Sequence, residues 1–159
     1  MKKLVLSLVL FASAIAVSAQ PRAIGGRITN GLDVSYQHGF GEKNMLQIDA
    51  GFHGGGHSTG IHAAGTYNWV FPISSWKHEG SWNWYPGVGA GLGLGGFSNS
   101  YVFLGVAGMI GVEYNFKFPL QLSLDYRPII GWQFGNNHSH FHGDGFWNSG
   151  FGLGVRYKF

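Results

Sequence analysis

Apolar and polar residues alternate with a period of two along most of this chain. Leu32, Val34 and Tyr36 alternate with Asp33, Ser35 and Gln37, and Leu46, Ile48, Ala50 and Phe52 alternate with Gln47, Asp49 and His53. In an extended strand, successive side chains point to opposite faces, so each run predicts a strand with one apolar face. Ile61, Ala63, Tyr67 and Trp69 repeat the pattern against His62, Thr66 and Asn68, and Trp82, Trp84, Val88, Leu92 and Leu94 repeat it against Asn83 and a run of glycines. Val102 to Phe116 and Leu120 to Trp132 carry two more such faces. The last runs through Phe151, Leu153, Val155, Tyr157 and Phe159, opposite glycines, Arg156 and Lys158.

These runs make seven strands if the first segment is counted once. A barrel with both chain ends on one side needs an even number. Asn30-Gly31 supplies the missing turn: a three-residue loop of Thr29, Asn30 and Gly31, with Gly31 left-handed, pairs Ile28 with Leu32. The expected strands are 22–28, 32–40, 45–53, 59–70, 82–95, 101–116, 120–133 and 146–159. The expected fold is all-β: a closed, eight-stranded, antiparallel transmembrane β-barrel.

The N-terminus is of another kind. Met1-Lys2-Lys3, an apolar stretch from Leu4 to Val17 and the small residues of Val17-Ser18-Ala19 have the layout of a secretory signal peptide. Residues 1–19 are therefore assigned to export, and 20–159 to the barrel. Without Lys2 and Lys3, the 10 Lys and Arg fall to 8 against 7 Asp and Glu, so the basic balance disappears. No clustered basic face remains to suggest nucleic acid as a partner. There is no cysteine to staple an exported chain.

Composition points the same way. The chain has 28 Gly, 16% aromatic residues and only 11% charged residues, against about 25% charged in soluble domains. After the signal, no segment stays apolar for the ~18 residues of a membrane helix. A closed barrel satisfies every backbone group inside a membrane without one. Outward aromatic residues then gather at the periplasmic end: Tyr36, Tyr67, Trp69, Trp82, Trp84, Tyr114, Phe116, Tyr157 and Phe159. Such a girdle marks a membrane interface, with outer-membrane lipid as the partner. Phe52, Trp132, Phe134 and Trp147 form a sparser ring at the other end. The connection from Phe71 to Ser81 is long for a periplasmic turn.

The inward positions describe a filled lumen. Gly87, Gly89, Gly91, Gly93 and Gly95 share one inward row, and pairing about the turn from Phe97 to Asn99 sets Gly95 against Tyr101 and Gly93 against Phe103, with large rings over glycines. Arg27, Asp33, Asp49, Glu113, Asp125, Arg127, Arg156 and Lys158 also point inward, four acids and four bases. Buried charges need partners, so the expectation is a network of ion pairs, with Glu113 and Asp125 facing Arg and Lys rather than acting as a catalytic pair.

Several segments carry a family resemblance: Ala23-Ile24-Gly25-Gly26-Arg27, Val34-Ser35-Tyr36-Gln37-His38, Phe118-Pro119-Leu120-Gln121-Leu122-Ser123 with Asp125, and Gly154-Val155-Arg156-Tyr157-Lys158-Phe159. Across nearly all of residues 20–159, the chain resembles small outer-membrane β-barrel proteins of Bacteroidetes-type bacteria, similar in shape to OmpX-type barrels. The resemblance implies an eight-stranded barrel in the cell outer membrane. It also implies that Val155, Tyr157 and Phe159 form the C-terminal signal read by barrel-assembly machinery. It supplies no catalytic residue and no cofactor.

Specific chemistry, if any, is expected in the outer loops. His53 and His57 flank a glycine run, and His138, His140 and His142 lie in the stretch from Asn136 to Asp144. Imidazole binds zinc, copper or haem iron, but these spacings match no established zinc motif, and a polar, glycine-rich loop accounts for them. His38, His62 and His78 read as structural or solvated. Ser139 between two histidines, Ser98 and Ser149 are the available nucleophiles for a lipid hydrolase. Sequence adjacency does not make a triad. The expected role is non-enzymatic, in envelope structure or in binding an extracellular partner through the loops. The alternatives are a narrow solute channel, a metal- or haem-binding barrel and a lipid hydrolase.

Overall fold

The computed structural model describes residues 22–41, 43–55, 58–74, 76, 79–95, 101–135, 138–144 and 150–159. The expected signal peptide, 1–19, lies outside them. The described regular structure is all β: β1 (Arg22–Ile28), β2 (Gly31–Phe40), β3 (Asn44–Gly55), β4 (Ser58–Trp69), β5 (Phe71–Pro72), β6 (Ser81–Gly95), β7 (Tyr101–Asn115), β8 (Leu120–Tyr126), β9 (Ile129–Gly135), β10 (His138–Asp144) and β11 (Phe151–Lys158).

These segments form eight staves. β5 prolongs β4, because Phe71 opposite Trp84 keeps the register of Gly60 opposite Gly95. β8 and β9 form one stave, interrupted at Arg127-Pro128, where Pro128 accepts from Gly108 N at 3.0 Å but has no N–H to return. β10 and β11 form the last. All pairs are antiparallel, and β1 pairs with β11 over Ala23–Lys158 to Ile28–Leu153, which closes the ring.

The register fixes the shape of the ring. From Tyr157, paired residues lead through Ile24, Tyr36, Ile48, Gly65, Ala90 and Val106 to Ile130. Yet Tyr157 itself faces Leu120, ten positions away on that stave. Eight staves with this stagger tilt by about 40° from the barrel axis. Arg22 and Phe159 meet at one end through Arg22 N to Phe159 O (3.3 Å) and Phe159 N to Arg22 O (2.9 Å).

Polarity is inverted relative to a water-soluble core. Arg27, Asp33, Ser35, Gln47, Asp49, Thr66, Asn68 and Arg156 are at most 1% exposed, whereas Leu32, Val34, Val106, Leu124 and Phe151 are more than half exposed. Met45, Tyr85 and Met109 form a small apolar cluster inside, against which Val70 packs.

The structure departs from the sequence expectation at four places. Gly31 is not left-handed: the glycine with positive φ among the described residues is Gly41, and the first turn closes with Thr29 N donating to Gly31 O at 3.0 Å. The long connection after Trp69 begins as strand, with β5 and a bond from Ile73 N to Trp82 O (2.8 Å) extending the hairpin. The expected eighth strand, 146–159, is β11 preceded by β10. β10 covers most of the expected histidine loop and pairs with β9 from His138–Gly135 to Asp144–Ile129. Between these pairings Asp144 to Phe151 spans seven positions where Ile129 to Tyr126 spans three, so the last stave carries four additional residues. Finally, Gly95 and Gly93 face Tyr101 and Phe103 as expected, and the Tyr101 ring covers Gly95, but Gly93 meets the Cβ of Phe103 rather than its ring.

Two glycines test the filling of the interior. A Cβ on Gly111 would stand 2.5 Å from Tyr85 Cζ and 2.8 Å from Asp125 Cβ, whereas one on Gly65 would meet nothing within 4 Å. Gly111→Ala is expected to cost about 1–3 kcal/mol by overpacking. Gly65→Ala should leave the urea unfolding midpoint of the refolded chain nearly unchanged.

Candidate functional site: the barrel interior

Alternation turns Arg27, Asp33, Asp49, Asp125 and Arg127 into the lumen, and neighbouring glycines let their long side chains cross it. Arg27 faces Asp33 directly on β2. It also reaches past β11 to Asp125 on β8, because Gly152, opposite Asp125, offers no side chain where the guanidinium lies. Arg27 Nε donates to Asp125 Oδ1 at 2.8 Å, with a second, closer bond from Nη2, and Arg27 Nη1 donates to Asp33 Oδ2 at 3.4 Å. From the other side, Tyr85 crosses Gly111, its own partner and that of Asp125, and its hydroxyl donates to Asp125 Oδ2 at 3.5 Å.

Arg127 completes the cluster. Its Nη1 donates to Asp49 Oδ2, and its Nη2 lies 3.6 Å from Asp33 Oδ2. His62 Nε2 approaches the other oxygen of Asp33 at 3.0 Å. Asp33 is thus enclosed by Arg27, Arg127 and His62, from three other staves.

Glu113, Arg156 and Lys158 are not drawn into this group. Nearer the terminal end, Arg156 donates to Ser35 Oγ (2.8 Å) and Ser123 Oγ (2.7 Å). Glu113 accepts from Asn83 (2.9 Å), Asn115 (2.9 Å) and Gln121 (3.0 Å). Lys158 donates to the carbonyl of Phe116 at 3.0 Å. Glu113 therefore takes its hydrogen bonds from amides, its register neighbours being Asn83 and Ser123, while the expected basic neighbour Lys158 acts on it through space. Gln37 donates to Gln47 (2.9 Å) and Gln47 to Asp49 (2.8 Å), tying these amides to the ion cluster. Sequence places Ser35, Gln37, Gln47 and His62 on polar strand faces without assigning them to the charge network, and gives Tyr85 and Ser123 no role in it. Their inward parity was readable, but their partners depend on cross-barrel register.

Among the described residues, Tyr67, Trp69, Trp84, Tyr157 and Phe159 at the terminal end and Phe52, Trp132 and Phe134 at the other end are exposed, and Tyr36, Trp82, Tyr114 and Phe116 are half-buried. Rings meet in Tyr67–Trp69 (5.6 Å), Trp82–Tyr114 (4.8 Å), Tyr114–Phe116 (4.6 Å) and Tyr157–Phe159 (6.5 Å), and Tyr36 lies 6.4 Å from the ring of His38. Trp84 stacks on Phe71 at 5.0 Å, and Trp76, exposed in the connection, sits edge-on to Trp82. Val155 is outward on β11 between Leu153 and Tyr157.

The histidine candidates receive no such geometry. His57 and the turn at 136–137 lie outside the described residues, as do Ser98, Ser149 and Trp147, and so do the side chains of His53, His138, Ser139, His140 and His142. Among the described residues, no group of three His, Cys, Asp or Glu is arranged to hold a metal. Ser35 and Ser123 are engaged by Arg156. The described interior is an interlocked set of hydrogen bonds and ion pairs, whose chemistry is to hold the staves together. No family model, curated protein or solved structure matches this chain.

Removing one member of a buried ion pair strands the other, at about 3–5 kcal/mol, while replacing both with apolar groups is often nearly neutral. Arg127→Met alone should therefore destabilise by about that amount. Adding Asp49→Leu should recover part of the loss, seen as a positive coupling between the two sites in urea midpoints. Strict additivity would show that Arg127 and Asp49 do not act as a pair.

Proposed function

We propose that this chain is an exported, non-enzymatic outer-membrane β-barrel of the small OmpX-like kind, with a side-chain-filled lumen. It serves envelope structure or surface binding through its outer loops. The observation that carries this reading is the inverted polarity: charged and amide side chains fill the inside, while Leu32, Val34, Ile48, Val88, Leu104, Val106, Ile110 and Leu124 stand exposed around the outside. A soluble monomer rarely exposes a large continuous apolar surface. In a bilayer, the same surface meets acyl chains, and the closed ladder leaves few backbone groups unpaired.

The aromatic contacts at the terminal end support an interfacial girdle on the periplasmic side. The signal-like residues 1–19 support export, and Val155, Tyr157 and Phe159 support assembly through the C-terminal strand. A filled interior argues for a static barrel over a channel. An eight-stranded ring is only wide enough for its own side chains or one small ligand, and Arg27, Asp125, Tyr85, Arg127 and Asp49 already reach across this one.

Two measurements test the reading. Expressed in a Gram-negative host, the chain should sediment with the outer membrane, resist carbonate extraction and change gel mobility on heating. Recovery in the soluble periplasmic fraction would refute the membrane assignment. Reconstituted in planar bilayers, it should give no steady conductance, and solute-selective openings would refute the filled lumen.

A further inference from the structure

We infer that the barrel thins the loop-side leaflet of its membrane beside β1 and β2, an inference that rests on the membrane reading above. The outer apolar surface is not equally tall around the ring. On β2, the outward apolar residues run from Phe40 to Leu32, eight positions, and β1 ends at Ile28. On the stave of β8 and β9 they run from Leu120 to Phe134, and on β7 from Phe116 to Val102, fourteen positions each. At about 3.3 Å per residue and a tilt of about 40°, the short side is about 20 Å tall and the tall side about 35 Å. The usual apolar band of such barrels is about 25 Å.

The difference lies at the loop rim. At the terminal rim, rings occur on staves all round: Phe40, Trp69, Trp84, Phe116 and Phe159, with Phe40 near Tyr67 (6.3 Å) and Trp82 near Tyr114 (4.8 Å). At the loop rim, the short side ends in Thr29 and an exposed Asn30, directly above the exposed Ile28 and Leu32. A level bilayer anchored on the terminal rings would bury that turn in hydrocarbon, where its amide and free backbone groups would lack partners. On the tall side, Leu94, Val102, Leu104, Trp132 and Phe134 need apolar cover where the short side already presents Asn30. Leaning the barrel to lift the turn would pull the terminal rings of one side out of their interface. A leaflet that descends toward the β1–β2 turn satisfies both rims. The partner of this face is a lipid surface, and the effect on it is local thinning.

Depth measurements test this. Leu32 stands eight positions above Phe40, and Val106 ten above Phe116, so a level bilayer would hold both at similar depth. Single cysteines at Leu32, Val106, Phe40 and Phe116 in the full chain would carry an environment-sensitive fluorophore in phosphatidylcholine vesicles, with nitroxides placed shallow or deep on the acyl chains. The Leu32 label should be quenched several-fold better by the shallow nitroxide and the Val106 label by the deep one, with Phe40 and Phe116 both shallow. A Leu32 label as deep as Val106 would overturn thinning. A shallow Leu32 with Phe116 unquenched would overturn it in favour of a leaning barrel. If no label is quenched although the chain is folded, the membrane reading itself fails, and the inference with it. Solution spectra of the unlabelled chain, compared with each variant, verify that the cysteines leave the fold intact.

Discussion

Everything in this structure depends on the closure of β1 on β11 with a stagger of ten residues. An open sheet of these strands would expose two edges and could choose its curvature. Closure removes the edges and, with the stave number and stagger fixed, sets the tilt and the internal width. The width then becomes a demand on the sequence. The interior is too narrow for a wide aqueous pore and too wide to be filled by small residues from every stave, so it needs long side chains facing absent ones.

The cross-barrel contacts meet that demand. Asp125 has a glycine on both flanks in register, Gly111 on β7 and Gly152 on β11. Across one comes Tyr85 and across the other the guanidinium of Arg27. The glycines here serve as space rather than as flexible hinges, since a Cβ at either would collide with the group that passes over it. Long side chains drawn from different staves then bind the ring to itself across its diameter, in addition to the ladder around its circumference. Asp33 works the same way: its buried charge is tolerable because Arg27, Arg127 and His62 converge on it from several strands.

Much of the fold was legible because period-two alternation needs no knowledge of partners. Ile28 opposite Leu32, and Gly95 opposite Tyr101, followed from turn length and parity alone. What needed partners was not legible. The inward charge balance suggested Lys and Arg near Glu113, but balance over a whole lumen says nothing about which groups lie within hydrogen-bond reach of its carboxylate. The stagger places Asn83, Asn115 and Gln121 there. Tyr85 carries no partner signal in sequence, because the carboxylate it meets, that of Asp125, lies two staves away across Gly111. His138 to Asp144 looked like a loop because histidine, serine and glycine are poor strand formers in isolation, and pairing with β9 outweighs that local preference.

The same stagger links the interior to the uneven outer wall. In a closed, sheared ring, no strand runs along the barrel axis, so the height of each hairpin is set by its own turn rather than by a common rim. β1 and β2 turn early, at Thr29 and Asn30, while β7 and β9 continue to Tyr101 and Gly135. The early turn sits just above the ion cluster, since Arg27 and Asp33, the nearest inward side chains below it, both belong to that cluster. The ion cluster and the short side of the apolar surface therefore meet at this one hairpin, which ties the packing of the interior there to the shape the barrel presents to its surroundings.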